Sequence, residues 1–228
     1  GCMHSTVHKI IGEAADELGQ LDNLVRVEGV GCCGLGQFYV NHDATIAAHG
    51  RACAVATGIK RSTPDSLVYT YQGDGDLASI GLAETMSAAN RGENFTVIFV
   101  NNGIYGMTGG QMAPTTLIGM KATTAPGGRD PEVHGYPMHV CEILDQLTAP
   151  YYLERVSCNT PQNVMKARNA IKKGFQYQLE GRGFSLIEIV TSCPTNWGLS
   201  TLDSLKFLEE KMFAEYPLGL VRDKGAEK

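Results

Sequence analysis

Short apolar runs alternate with helical stretches from one end of this chain to the other. That alternation constrains the fold more than any other feature. Leu24 to Val30, Leu67 to Tyr71, Thr96 to Val100, Tyr151 to Val156 and Ser185 to Val190 read as strands. Thr96 to Val100 is β-branched and aromatic throughout, the pattern of a strand buried on both faces. Between them, Ser5 to Leu18 places Val7, Ile10, Ile11, Ala14 and Leu18 at helical spacing, and Ala44 to Arg61 is rich in small residues, as in a closely packed helix. Leu77 to Asn90, Met138 to Leu147, Pro161 to Leu179 and the amphipathic Leu202 to Tyr216 complete the helices; Pro161 suits a first helical turn. The pattern predicts an α/β fold, a doubly wound and mostly parallel sheet.

The length, 228 residues, fits one domain over 1–228, with a long loop at about 103–131 and a helical tail at about 200–228. The loop holds Gly-Gly twice and three prolines, and loops of that length in compact domains are usually functional. No apolar run approaches the roughly 20 residues of a membrane span. Gly1-Cys2-Met3-His4 has neither the basic start nor the apolar middle of a signal peptide. The chain also does not open on methionine, so a truncated or processed chain is expected. Net charge is −5 with Lys and Arg scattered, which argues against a nucleic-acid surface. Seven cysteines, an odd count, argue against a disulfide scaffold and for a reducing, cytoplasmic setting. Cys53, Cys141 and Cys158 read as buried free thiols.

The 27 glycines cluster in turns that follow apolar runs, where bare backbone lets a ligand approach. The most informative turn is Gly73-Asp74-Gly75-Asp76, followed by Asn101-Asn102. Asp74 and Asn102 lie 28 residues apart, the length of one helix and one strand. A single crossover therefore brings them to neighbouring strand ends. A carboxylate, an amide oxygen and a backbone carbonyl, best placed at Ile104, suit Mg²⁺, a hard octahedral cation. Gly73 and Gly75 would admit a diphosphate, and the helix beginning near Leu77 would direct its first amides at that anion. Gly-Asp-Gly alone is an ordinary turn; the match to Asn102 at crossover distance gives it weight.

The run Gly73-Asp-Gly-Asp-Leu-Ala78, with Asn101-Asn-Gly-Ile-Tyr-Gly-Met-Thr-Gly-Gly-Gln-Met-Ala-Pro-Thr-Thr116, resembles the β subunit of 2-oxoacid:ferredoxin oxidoreductases. The resemblance extends from Gly1-Cys2 through His49-Gly-Arg51 to Cys193-Pro-Thr-Asn-Trp197 and the Tyr216-Pro-Leu-Gly219 tail. It implies a thiamine diphosphate-binding domain of the type that holds the diphosphate. Asp74, Asn102 and the Ile104 carbonyl would bind Mg²⁺, with Gly73, Gly75, Asp76, Tyr105 and Thr108 lining the diphosphate. The implied reaction is oxidative decarboxylation of a 2-oxo acid to acyl-coenzyme A, with electrons passed to ferredoxin. The general appearance is closest to the 2-oxoglutarate and branched-chain types. The glutamate that activates the aminopyrimidine has no match here. The resemblance assigns it to a partner α subunit, with γ or δ subunits as further partners, so this chain alone should be inactive.

The same resemblance implies a [4Fe-4S] cluster. Cys2, Cys32 and Cys193 match three of the family's four ligands; the first would lie two residues before Gly1, outside the given sequence. A cubane prefers four thiolates; His4 or Cys33 are the residues available to stand in. By spacing alone these cysteines would read as structural thiols. His49 and Arg51 are the catalytic candidates, His49 as a hydrogen-bond partner near the thiazolium and Arg51 as an anion anchor, against the plainer reading of a helix cap and a surface charge. Arg129 and Asp130 read as pairing with neighbouring charges, Trp197 and Tyr216 as core or interface, and His134 and His139 as structural. Two other readings stay open: a non-oxidative thiamine-dependent decarboxylase or synthase, which predicts no cluster, and a non-catalytic electron-transfer subunit, which predicts no cofactor.

Overall fold

The structure is a computed structural model and describes residues 1–226. Helix α1 (His4–Glu17) precedes β1 (Leu24–Glu28); a 3-10 stretch, Cys32–Phe38, then leads to β2 (Asp43–Ile46). Helix α2 (Ala52–Ser62) returns the chain to β3 (Leu67–Gly73), and a π-turn, Gly75–Ile80, opens into α3 (Leu82–Arg91) and β4 (Thr96–Asn101). The long loop folds into a small hairpin of β5 (Ile104–Tyr105) and β6 (Gln111–Met112), followed by α4 (Pro131–His134) and α5 (Val140–Asp145). Then come β7 (Tyr152–Ser157), α6 (Pro161–Leu179), β8 (Ser185–Val190), α7 (Pro194–Trp197), α8 (Thr201–Phe207), a π-turn (Leu208–Met212), α9 (Phe213–Glu215) and β9 (Gly219–Asp223).

The main sheet runs β2-β1-β3-β4-β8-β7-β9 and is parallel throughout except for β9, which pairs antiparallel with β7. This is the expected doubly wound α/β sheet. Residues alternate between two apolar layers, as the pleat requires. Tyr69, Tyr71, Ile98, Ile187 and Ile189 pack with Val7, Ile10 and Ile11 of α1 and Ile171 and Phe175 of α6. Val68, Val97, Phe99, Leu153 and Leu186 pack on the other side with Cys53 and Ala56 of α2, Ala88 of α3 and Val140 and Leu144 of α5. Helix α6 starts as its sequence demands: Thr160 Oγ1 accepts from the Asn163 amide and Pro161 occupies the first turn. Among the described residues, no helix is long and apolar enough to cross a membrane.

Three segments differ from expectation. The helix predicted over Ala44 to Arg61 begins only at Ala52, because Asp43–Ile46 pairs in parallel with β1 as the sheet's edge strand. Gly50 enforces the break: its φ is +78°, and a Cβ there would lie 2.6 Å from the Ile80 side chain. The helix predicted from Leu77 starts as the π-turn Gly75–Ile80. The predicted helical tail is helical only as far as Glu215; Gly219–Asp223 turns back and pairs with β7. Residues 227 and 228 of that tail lie outside the described residues.

A cluster of imidazoles packs between α1 and the sheet. His8 stacks on Tyr71 with ring centroids 4.5 Å apart, and the His42 ring nitrogen lies 3.0 Å from the Tyr69 hydroxyl. Burial, then the Arg26 charge and neighbouring His4 and His42, lower the His8 pKa to about 4. Between about 4 and the ordinary 6.5 the unfolded chain binds more protons than the folded one. The stability from burying a neutral His8 is therefore complete above pH 6.5 and is lost as pH falls toward 4. The expected contribution is up to about 3 kcal/mol. Urea unfolding of His8→Gln across that window should show a flatter acid slope than the parent; an unchanged slope would sink this assignment.

Candidate functional site

The strand register brings the two key residues together. Gly73 at the end of β3 is paired beside Val100, so Asp74 and Asn102 emerge side by side at the carboxyl edge of the sheet. Asp74 Oδ1 accepts from the Gly75 amide (2.9 Å), and Oδ2 accepts from the Ile104 amide (3.1 Å) and the Thr115 hydroxyl (2.8 Å). Asn102 Oδ1 accepts from the same Ile104 amide at 3.1 Å. A carboxylate oxygen and an amide oxygen thus converge on one point. They border a cavity walled by Gly73, Asp74, Gly75, Asn102, Ile104 and Tyr105, with Thr108 at its rim.

The site suits a cation. Asp74 is buried and forms no ion pair among the described residues, and burial raises its pKa to about 6. A metal ion beside it would reverse that cost. Space beside the turn suits a bulky anion: nothing lies within 4 Å of where a Gly73 Cβ would stand. Gly75 is required for a different reason, since a Cβ there would fall 2.2 Å from the Tyr105 ring, whose hydroxyl donates to the Gly75 carbonyl (3.2 Å). The Thr108 hydroxyl donates to Gln111 Oε1 at 2.5 Å.

Asp76 also borders the cavity, but its carboxylate is engaged by the protein. Oδ1 accepts from the Val30 and Gly50 amides, both at 2.9 Å, and lies 2.6 Å from His49 Nδ1; Oδ2 accepts from Gln72 Nε2 at 2.7 Å. Asp76 therefore ties the β3 turn to the loops that carry Cys32 and His49. His49 is on the cavity wall. Arg51 is not; its guanidinium pairs with Glu84 on α3.

Cys2, Cys32 and Cys193 line one adjoining cavity, which shares His4, Cys32 and Asn102 with the first. Cys32 Sγ and Cys193 Sγ lie 3.2 and 3.7 Å from a single point beside Gly106. Burial, then the neighbouring Cys193 and Cys2, raises the Cys32 thiol pKa, so positive charge at this place would be welcome. Asn196 Nδ2 donates to Cys193 Sγ at 3.3 Å. Among the described residues, no three His, Cys, Asp or Glu side chains are close enough to grip a single metal ion. Cys33, a candidate substitute ligand, is buried, and that burial pushes its thiol up to about 12.

Several supports escaped the sequence reading. Thr115 holds Asp74, and its own carbonyl accepts from the Tyr216 hydroxyl at 2.8 Å. Trp197 Nε1 donates to the Asn102 carbonyl at 3.1 Å. Asn101 Nδ2 donates to the buried Glu188 (2.8 Å), which also receives Arg155 (2.8 Å), and Asn101 Oδ1 accepts from the Gly103 amide. Arg129 does not pair with a carboxylate as expected. Buried at 5% exposure, it donates to the carbonyls of Pro114, Thr116, His134, Gly135 and Tyr136 and so fastens the long loop. Asp130 instead caps α4 through the Glu132 amide. His139 Nε2 lies 2.9 Å from Glu215, which comes from the far end of the chain.

A doubly wound sheet with a carboxylate and an amide oxygen side by side beyond two adjacent strand ends, next to glycine-bordered space, is an α/β domain with its candidate ligand site at the carboxyl edge. Residues 29–189 match the family model described as thiamine pyrophosphate enzyme, C-terminal TPP binding domain. The chain is 51% identical over 227 residues to ketoisovalerate oxidoreductase subunit VorA of Methanothermobacter thermautotrophicus, covering 100% of this chain and 48% of that one. It is 38% identical over 216 residues to 2-oxoglutarate synthase subunit KorB of Methanocaldococcus jannaschii, covering 92% of this chain and 76% of that one. A solved 2-oxoglutarate:ferredoxin oxidoreductase from Magnetococcus marinus, with 2-oxoglutarate, coenzyme A and succinyl-CoA bound, superposes with a TM-score of 0.79 at 28% identity, over 99% of this chain and 80% of that chain. The chain belongs to the thiamine diphosphate-binding subunits of the 2-oxoacid:ferredoxin oxidoreductase family. It spans about half the length of the VorA relatives it matches.

Proposed function

We propose that this chain is the β subunit of a 2-oxoacid:ferredoxin oxidoreductase and holds the magnesium-diphosphate end of thiamine diphosphate. The observation that carries this reading is the convergence of Asp74 Oδ2 and Asn102 Oδ1 on the Ile104 amide. Asp74, Asn102 and the Ile104 carbonyl would take the metal; Gly73, Gly75, Tyr105 and Thr108 would border the diphosphate, with Asp76 fixing the turn. Bound thiamine diphosphate supplies the electron sink for decarboxylating a 2-oxo acid. With Nδ1 turned to Asp76, His49 has Nε2 left for the cavity, where it would hydrogen-bond the reacting groups. Arg51 would act only indirectly, by bracing the loop against Glu84.

Cys2, Cys32 and Cys193 would hold an iron–sulfur cluster, [4Fe-4S] in type, with the fourth ligand from outside the given sequence. Electrons would leave through it to ferredoxin, and coenzyme A would take the acyl group. An α subunit would bring the aminopyrimidine-side glutamate, with γ or δ subunits completing the assembly. Free thiols fit a reducing, cytoplasmic setting. A branched-chain 2-oxo acid is the favoured substrate. Identity is higher to the ketoisovalerate subunit than to the 2-oxoglutarate one.

The purified single chain should oxidise no 2-oxo acid. Co-expression with the α subunit, and any γ or δ subunit, should restore ferredoxin reduction, fastest with branched-chain 2-oxo acids across a substrate panel. Robust turnover by the single chain would overturn the division of the site between subunits. A cluster-free complex that decarboxylates without reducing ferredoxin would favour the non-oxidative reading.

A further inference from the structure

His4 stands where the two cavities meet. It is the first residue of α1, and the chain enters that helix through Met3, whose φ of +65° makes it the sole non-glycine residue at positive φ among those described. Such a conformation is uncommon for methionine, and it turns the chain sharply between Cys2 and His4. As a result, Cys2 lines the cysteine cavity while the His4 imidazole borders both that cavity and the diphosphate cavity.

The ring's tautomer follows from its neighbour. His4 Nδ1 lies 2.7 Å from the Tyr71 hydroxyl. Tyr71 is wholly buried, burial holds its phenol well above the ordinary range, and so its proton stays on. Among the described residues, His4 Nδ1 is the one hydrogen-bond partner of that hydroxyl. The phenol therefore donates to Nδ1, which in a neutral imidazole leaves the N–H on Nε2. No protein acceptor among the described residues meets Nε2.

We propose that His4 is a positioning residue that donates its Nε2–H to a sulfur of the iron–sulfur cluster, and that Tyr71 fixes the tautomer that makes this possible. This rests on the cluster reading given above. A hydrogen bond to cluster sulfur favours the reduced, more negatively charged state and so raises the reduction potential. The effect is on electron transfer out of the site, separate from cofactor binding by Asp74 and Asn102.

The test uses the assembled complex, purified without oxygen, with iron content and midpoint potential measured by a redox titration followed by electron paramagnetic resonance. His4→Leu should lower the midpoint potential at unchanged iron content. His4→Gln, which keeps an N–H donor, should stay closer to the parent, and Tyr71→Phe, which frees the tautomer, should fall between parent and His4→Leu. A midpoint potential unmoved by both His4→Leu and Tyr71→Phe would overturn the proposal while leaving the cluster in place. Equal shifts in His4→Leu and His4→Gln would likewise refute a donor role. A parent complex with no iron would overturn the cluster reading itself, and this proposal with it.

Discussion

Asp74→Ala is expected to weaken retention of thiamine diphosphate in the presence of Mg²⁺ by at least about 100-fold, more than is lost when a residue that merely supports a metal ligand is removed. The substitution takes away the one charged protein ligand in the proposed metal set. What it leaves, an amide oxygen from Asn102 and a backbone carbonyl, is neutral, and a hard divalent cation binds such a set weakly. Unfolding is a poor alternative explanation. The carboxyl is buried and held at about 6 without a cation, so in the absence of metal it costs the fold stability rather than contributing it. The Thr115 hydroxyl and the Gly75 and Ile104 amides lose an acceptor, but the Ile104 amide keeps Asn102 Oδ1. Equilibrium dialysis of the assembled complex against thiamine diphosphate, with and without Mg²⁺, reads the effect directly. Affinity equal to the parent would remove Asp74 from the metal set.

Arg129→Ala should be the most destabilising single change in the long loop, about 4 kcal/mol or more. The guanidinium satisfies carbonyls from two stretches, Pro114 and Thr116 on one side and His134, Gly135 and Tyr136 on the other. Leaving a buried carbonyl unpaired costs roughly 1–3 kcal/mol, and several would be orphaned together. Lysine should not rescue, because a compact ammonium cannot reach acceptors spread across a planar fork. Thermal unfolding and limited proteolysis between residues 103 and 137 report the loss, with cleavage rising in both Arg129→Ala and Arg129→Lys. Cofactor affinity should fall as well, since Thr115, which holds Asp74, lies within the fastened segment. A lysine variant as protease-resistant as the parent would show that charge alone, not the fork, fastens the loop.

How much of this was legible in the sequence depended on whether the signal was local. Thr96–Val100 and Ser185–Val190 announced themselves because every residue of each is buried, and short runs dominated by apolar and β-branched residues mark strands covered on both faces. Asp74 and Asn102 were legible because a parallel crossover has a characteristic length and brings strand ends together without further information. Strand β2 was not, since all four of its residues are exposed and its alanine-rich surroundings resemble a helix. Strand β9 was hidden for a related reason: it exists only through pairing with β7, some 70 residues earlier. The supports of the site were invisible because their partners are distant or lack side-chain signatures. Arg129 binds carbonyls, which no residue pattern records, and Glu188 meets Asn101 across 87 residues. The Arg51 side chain illustrates the converse, a suggestive neighbour of His49 whose direction only the packing of α3 decides.

One carboxylate oxygen, Asp76 Oδ1, receives the Val30 and Gly50 amides and faces His49, while its partner Oδ2 receives Gln72. Three separately coded segments are thus gauged against a single carboxylate. Sequence drift in any one of them is then limited by the other two: an insertion beside Val30 or Gly50 would have to preserve both amide positions at once. Walls such as Leu35 and Tyr39 carry no such obligation. Within this family, change should accumulate at such unobligated walls, while position 76 and the two side chains that meet it, His49 and Gln72, change together or not at all.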